Sequence, residues 1–222
     1  MRTKLLFGSF LFLASVLVQA APILVTGTPS DDLLSTPAGP SPKLGAILIN
    51  FDSLTPFATY STYTSNGVSI SSPDGLEVLP YSTQSGPNEM FDDSAAGSAN
   101  LSITYAPGTT AIGVGIADSD MTAGGTPVTI FLQALNSTGV GFGTLFSVTI
   151  PETGPNPGNG YFLIEDTTSD IYGVKITQPV SNASLYSGLA IDDVQVAPEP
   201  STFLLLGTGA AILGFVRLRK RA

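Results

Sequence analysis

The stretch PVTIFLQAL–NSTG–VGFGTLFSVTI, residues 127–150, decides the fold class. Its two outer runs, Pro127–Leu135 and Val140–Ile150, are rich in β-branched and aromatic residues, which favour strands. The tetrapeptide Asn136–Gly139 between them is typical of a hairpin turn. The stretch therefore predicts two antiparallel strands joined by a short turn.

Further runs of the same kind lie on both sides of this hairpin, separated by turn residues. The other predicted strands are Ile23–Val25, Ala46–Phe51, Gly67–Ser71, Gly75–Pro80, Asn100–Tyr105, Thr110–Ile116, Tyr161–Ile164, Ile171–Ile176 and Leu189–Val196. A turn is expected at Pro73–Gly75. Short strands without intervening helices predict an all-β sandwich, and roughly 150 residues suffice for one domain with a sizeable core.

The composition excludes several classes of function. The 222 residues include no His and no Cys, so histidine-activated nucleophiles, zinc–thiolate sites and disulfides are ruled out. The formal net charge of −9 argues against nucleic acid as a partner, because nucleic-acid binding requires a basic surface. We therefore expect a protein that is not an enzyme.

The charge is distributed unevenly along the chain. Lys43 and Lys175 are the only basic residues between positions 21 and 200, whereas all 17 acidic residues lie there. This part of the chain therefore carries a formal net charge of −15. Such a surface favours solubility and attracts divalent cations.

The first 20 residues have the pattern of a secretory signal peptide. A basic start at Arg2 and Lys4 precedes the apolar run Leu5–Val18, which is shorter than the ~20 residues that a spanning helix needs. Small residues precede Ala21, where we expect cleavage after Ala20. Residues 21–44 follow as a Pro-rich N-terminal stretch, which is mostly irregular because proline cannot donate to a strand ladder.

The last segment combines an apolar run with a basic end. Thr202–Val216 carries no charge, and Arg217–Arg221 follows it directly. As a helix of about 22 Å this run is short for a bilayer core of about 30 Å. A basic cluster stays on the cytoplasmic side of a membrane, so the pattern predicts a short transmembrane helix at the C-terminal end.

Pro198-Glu199-Pro200, the apolar run and the basic end together resemble the PEP-CTERM sorting signal, which would cover residues 198–222. The resemblance implies that Pro198, Glu199 and Pro200 are recognised by an exosortase. It also implies passage through the secretion machinery and transient insertion in the inner membrane. The destination would be the cell surface or extracellular matrix of a Gram-negative bacterium.

The body, residues 45–197, resembles jelly-roll domains found in PEP-CTERM proteins. The resemblance lies in Asn50-Phe51-Asp52, the Gly67-Val68 strand, Phe91-Asp92-Asp93 and the closing Ala190–Val194. It implies a jelly-roll-like β-sandwich, flanked by the signal peptide and the hydrophobic sorting helix. An immunoglobulin-like sandwich is the alternative.

Calcium is the one cofactor with support from the sequence. It takes six to eight oxygen ligands, and similar sandwiches in carbohydrate-binding modules hold a structural calcium near the paired first and last strands. Asp52, Asp192 and Asp193 would converge there. Ile191 and Val194 cannot both point inward on a regular strand, so we expect a bulge or a strand edge at Asp192-Asp193. Alternatively, these acids are solvated or cap turns.

Sugar binding is the second candidate activity. Tyr60 and Tyr63 lie in a Ser/Thr-rich stretch that looks exposed, and such rings stack on sugar faces. The alternative is that they are ordinary surface or corner tyrosines. The sequence as a whole predicts a non-catalytic, exported protein that associates with polysaccharide or acts in adhesion.

A carbohydrate-active enzyme of the glycoside hydrolase type is the alternative function. It would use paired carboxylates, for which Glu89, Asp92, Asp93 and Glu165 are available. The chain has no Trp to serve as a sugar platform, and no acid stands alone in an apolar context that would raise its pKa.

Overall fold

The computed structural model describes residues 21–27, 47–80, 87–92, 99–118, 128–150, 159–166, 171–178 and 189–197. The predicted signal peptide, most of the Pro-rich stretch and the sorting signal at 198–222 lie outside these residues. No helix within the described ranges has the length and hydrophobicity needed to cross a membrane.

Twelve strands make up most of the described chain, and no helix occurs there. They are β1 (Ile23–Gly27), β2 (Ile47–Ile49), β3 (Thr59–Ser65), β4 (Val68–Leu79), β5 (Glu89–Asp92), β6 (Asn100–Thr109), β7 (Ala111–Asp118), β8 (Val128–Leu135), β9 (Gly141–Ile150), β10 (Asn159–Glu165), β11 (Ile171–Thr177) and β12 (Leu189–Val196). The predicted all-β class is confirmed, and β8 and β9 form the hairpin that was predicted from residues 127–150.

The strands form one antiparallel, hydrogen-bonded path with the order β1-β10-β7-β12-β5-β4-β6-β11-β8-β9, while β2 pairs with β12 and β3 with β4. The short strand β5 joins the two halves of this path, because it pairs with β12 on one side and with β4 on the other. Buried side chains of both halves, such as Ile116 of β7 and Ile103 of β6, belong to one hydrophobic core, so the two halves pack face to face as layers. Consecutive strands such as β6 and β7 lie in opposite layers, as in a jelly roll.

The core lies between these two layers. In a strand, alternate side chains point to opposite faces, and the buried members of neighbouring strands stand opposite one another. Ile70, Ile103 and Val174 form one such row across β4, β6 and β11, each no more than 1% exposed. Burying a side chain of this size contributes about 1.5–3 kcal/mol, so rows of this kind hold the layers together.

Two strands and one strand connection differ from the sequence prediction. Strands β3 and β5 were not predicted, because TYSTYTS is largely polar and EMFD is short and acidic. The turn expected at Pro73–Gly75 is wrong: these residues form a bulge inside the continuous strand β4. Tyr60 pairs with Leu76 and Thr62 with Ser71, so residues 72–75 stand opposite Ser61 alone. Gly75 has φ +102°, which suits a residue without a Cβ.

Candidate functional site

The pairing of the first and last strands of the body, on which the calcium prediction depends, is present. Strand β2 pairs with β12 through Val194 opposite Ile49. The predicted bulge is also present, because Asp192 pairs with Gly115 whereas Gln195 already pairs with Gly113. Asp193 has φ 47°, and this break in the alternation lets Ile191 and Val194 both be fully buried.

Asp192 lies where β12 changes its partner from β5 to β2. The register of β12 and β5 pairs Ile191 with Met90, and its continuation brings Asp192 opposite Glu89. Both carboxyl side chains are buried, with exposures of 0% for Asp192 and 3% for Glu89. The backbone N–H of Asp193 donates to Asp192 Oδ1 at 2.8 Å. We call this group, together with Asp52, the acidic seam: Asp52, Glu89, Asp192 and Asp193.

The burial of Glu89 changes its ionisation. Burial, and secondarily the negative charge of Asp192, raises the pKa of Glu89 from 4.5 to about 8. Its Oε2 atom is buried and makes no hydrogen bond. The carboxyl group of Glu89 is therefore mostly protonated and neutral at pH 7. Its ionised form would place a second negative charge beside Asp192 in a site closed to water.

Asn88 holds the chain segment around Asp52 next to strand β5. Its side-chain amide donates to the carbonyl oxygens of Phe51, Asp52 and Leu54 at 3.4, 3.1 and 3.1 Å. The backbone of Asp52 is therefore held beside β5. Asp52 Oδ1 is buried without a hydrogen-bond partner.

The three acids predicted as calcium ligands do not by themselves form a metal-binding group. Within the described residues, no set of three or more acidic, His or Cys side chains is placed to hold a metal ion. Calcium therefore stays a prediction. The seam supplies carboxylate and backbone carbonyl oxygens, which are the ligand types that calcium prefers.

Asp92, a candidate acid of the alternative enzyme reading, has a structural role. Its Oδ1 accepts from the Ser72 hydroxyl at 2.6 Å, and its Oδ2 accepts from the Asn100 backbone N–H at 2.7 Å. Asp92 thus ties the bulge of β4 to the start of β6. Because side chains alternate along a strand, Asp92 and Glu89 lie on opposite faces of β5. Asp93 lies outside the described residues, and Glu165 lies on β10.

Tyr60 and Tyr63 are less exposed than the sequence suggests. Both are half-buried and pack against the core. The ring centroids of Tyr60 and Tyr63 lie 5.6 Å apart, and those of Tyr63 and the buried Phe51 lie 5.7 Å apart, both edge to face. Such contacts contribute about 0.5–1.5 kcal/mol each beyond area burial. A sugar-binding role for these tyrosines stays a prediction.

A second polar surface covers the outer side of the layer that contains β4, β6 and β11. Registers place its side chains in rows across the strands. We call it the hydroxyl face: Thr62, Thr64, Ser69, Ser71, Ser102, Thr104, Gln133 and Lys175. All of its members are half-buried or exposed. The Thr64 and Ser69 hydroxyls are 3.1 Å apart, and the Thr104 hydroxyl donates to the Ser69 carbonyl at 3.4 Å.

The hydroxyl face has no carboxylate among its members, although the body of the chain is strongly acidic. Its one charged side chain is that of Lys175. The sequence signal for this face was present, since Ser and Thr alternate with apolar residues in VSIS and NLSITY. Only the cross-strand register reveals that these short alternations join into one surface.

The sandwich is anchored directly before the predicted sorting signal. Ala197 is buried, and its N–H donates to the Ala111 carbonyl at 3.0 Å. The Thr109 hydroxyl donates to the Ala197 carbonyl. Pro198, Glu199 and Pro200 lie outside the described residues, so their predicted role depends on sequence comparison.

The sequence model of the PEP-CTERM protein-sorting motif matches residues 196–221. The chain carries a PEP-CTERM sorting motif. The motif marks this chain as an exported protein that is anchored in a membrane before it reaches the cell surface. No curated protein matches the chain at a significant level.

Several solved structures resemble this chain weakly. A xylan-binding domain of CBM 22 is 16% identical, with a TM-score of 0.36, over 60% of this chain and 89% of that domain. The family 29 carbohydrate-binding module CBM29_1 from Piromyces equi is 10% identical, with a TM-score of 0.34, over 71% and 95%. The enzymatically active domain of bacteriophage CBA120 tailspike protein 4 is 15% identical, with a TM-score of 0.33, over 65% of this chain and 20% of that chain.

Proposed function

We propose that this PEP-CTERM protein is a non-catalytic polysaccharide-binding component of the surface or extracellular matrix of a Gram-negative bacterium. An exosortase would recognise Pro198, Glu199 and Pro200 during its export. The hydroxyl face is the observation that carries the binding proposal. It is a continuous set of donors and acceptors with Lys175 as its one charged member, on a chain whose residues 21–200 carry a net charge of −15.

The chemistry of the hydroxyl face suits a polymer of sugars. Hydroxyl and amide groups both donate and accept hydrogen bonds, and rows of them repeat across strands about 4.8 Å apart. A polysaccharide chain presents hydroxyl groups along its whole length, so many weak hydrogen bonds can form at once. Carboxylates placed there would bind water strongly and would repel acidic sugars.

The carboxylates of the seam support a non-catalytic role. Glu89 and Asp192 are a close acid pair, and a raised pKa is typical of a catalytic acid. However, both side chains are closed to solvent in this structure, and a substrate has to contact the acid that protonates it. Asp92 is occupied by its hydrogen bonds to Ser72 and Asn100.

Affinity electrophoresis in gels that contain different polysaccharides tests the binding proposal. The combined variant Ser71→Ala, Ser102→Ala and Thr104→Val should weaken retardation by the polysaccharide about tenfold or more, since each lost hydrogen bond is worth about 1 kcal/mol. Thr26→Val, an exposed substitution on β1, is the matched control. Equal retardation of the variant and the parent protein would contradict the proposal.

The same samples separate binding from catalysis. Release of reducing sugar by the parent protein, abolished by Glu89→Gln, would favour the glycoside hydrolase alternative. Binding without released sugar is the expected result.

The sorting role has its own test. Glu199→Ala should leave the precursor in the inner-membrane fraction, because the recognition element is incomplete. Normal release of the Glu199→Ala protein to the cell surface would contradict a role for this residue in sorting.

A further inference from the structure

The hairpin of β8 and β9 is an uncharged part of an acidic protein. Residues 121–151 contain no Asp, Glu, Lys or Arg, whereas residues 21–200 as a whole include 17 acidic and two basic residues. Both strands of the hairpin lie inside this uncharged segment. Two copies of the protein repel each other over most of their surfaces, but this repulsion is weak where the hairpin is exposed, as it is at β3, which lies in the uncharged segment 53–73.

Within the part of the chain that the structure describes, β9 is an edge strand that pairs with β8 alone. Its first half is irregular: Leu132 pairs with Phe146 while Ala134 pairs with Phe142, so residues 143–145 form a bulge. A Cβ on Gly143 would lie 2.7 Å from Pro22 Cδ, so Pro22 also abuts this half. Bulges and covering segments protect an edge from further pairing.

The second half of β9 lacks such protection among the described residues. Phe146–Ile150 pairs regularly with Val128–Leu132 and contains no Pro and no charge. Ser147 and Thr149 are exposed, whereas Phe146 and Val148 are half-buried and pack against the core. An added strand would complete the burial of Phe146 and Val148, and it would lie beside Leu145, which is 54% exposed.

We propose that Phe146–Ile150 of β9 pairs antiparallel with the same segment of a second copy of this chain, about a twofold axis. An isologous contact of this kind brings one surface against itself, which an uncharged strand permits and an acidic one opposes. Main-chain hydrogen bonds supply the attraction, as in other strand-addition complexes. The proposal does not depend on polysaccharide binding.

Single cysteines give a direct test, because the chain has none of its own. The full-length chain is made in an exporting host with Ser147→Cys, Val148→Cys or Thr149→Cys, and then oxidised. At least one of the three variants should form a disulfide-linked dimer, because the position nearest the twofold axis meets its own copy. Thr62→Cys on β3, another exposed residue on an edge strand, is the control and should stay at least tenfold less cross-linked.

The absence of a cross-linked dimer at all three positions would overturn the proposal, as would equal cross-linking of the Thr62→Cys control. Molar mass in detergent, corrected for bound detergent, provides a second measurement that does not depend on cysteine chemistry. The parent chain and Thr62→Lys should have the mass of a dimer, while Thr149→Lys should shift to the mass of a monomer. A monomeric parent chain would also overturn the proposal.

Discussion

The hydroxyl face and the acidic seam are both rich in polar side chains, but they differ in how far these side chains are exposed to solvent. The hydroxyl face holds neutral groups and one lysine on the outside of a layer, where water can replace any partner that is lost. The seam holds carboxyl groups that are largely closed to solvent, and Glu89 and Asp192 are almost fully buried. Removing or ionising a buried polar group costs far more than changing an exposed one, so the seam should control stability while the face remains free for binding.

The largest expected effect is a loss of stability as the pH rises from about 4.5 to about 8, and it originates at Glu89. Its pKa is about 8 in the folded protein and 4.5 as the ordinary value. Between these pH values the folded state keeps a proton that the unfolded state has lost, so the free energy of unfolding falls as pH rises. The contribution is at most about 1.4 kcal/mol per pH unit.

Urea denaturation at pH 5, 7 and 9 measures this contribution. Glu89→Gln should have a flatter pH profile than the parent protein and should be more stable than it at pH 9. An identical slope in both proteins would show that Glu89 ionises freely in the folded state.

Asp92→Ala should destabilise the protein by about 3 kcal/mol. It leaves the Ser72 hydroxyl and the Asn100 N–H without their acceptor, and hydrogen bonds to charged groups are worth about 1.5–3 kcal/mol each. The control is Asp74→Ala on the same β4 bulge, because Asp74 is exposed and its loss should change the free energy of unfolding by less than about 0.5 kcal/mol. Chemical denaturation of both variants gives the comparison.

Calcium should stabilise the folded protein if Asp52, Asp192 and Asp193 help to hold it. At 100 times its dissociation constant, a ligand of the folded state adds about 2.7 kcal/mol, which calorimetry would record as a higher Tm. The cation would also favour the ionised form of Glu89, so calcium should flatten the pH profile of the parent protein. A Tm that is unchanged by calcium in the parent and in Asp192→Asn alike would rule out a tight site at the seam.

The smallest expected change in the free energy of unfolding comes from substitutions on the hydroxyl face. Ser102→Ala and Thr104→Val each should change the free energy of unfolding by less than about 0.5 kcal/mol, since both side chains face outward from the sheet. Thermal unfolding measures this directly. A loss of 2 kcal/mol or more would show that the face is a structural element and would weaken the contrast with the seam.

The sequence predicts the fold class because the strand signals are local. Alternating runs such as Gly67–Ser71 need only their own side chains to be recognised. The bulge at Asp192-Asp193 could also be predicted. Ile191 and Val194 are both apolar and expected in the core, but a regular strand would point them to opposite faces. The sequence did not predict strand β3, because its stability comes from pairing with β4 and from the contacts of Tyr60 and Tyr63 with the core.

The candidate site was only partly predictable, for a physical reason. The approach of Glu89 to Asp192 results from the switch of β12 between two partners, and no feature of EMFD alone indicates it. The raised pKa of Glu89 was likewise unexpected, because burial of this acid depends on residues far away in the chain. In the same way, the hydroxyl face exists only once β4, β6 and β11 are in register.

The anchoring of Ala197 has a mechanical consequence for a protein that is held by its C-terminal end. Tension on the tail would enter the sandwich at the end of β12, which lies between β7 on one side and β2 and β5 on the other. A pull directed along β12 would load the hydrogen bonds of both ladders in shear together instead of opening them one after another. The point of attachment thus lets the domain bear load while it is tethered.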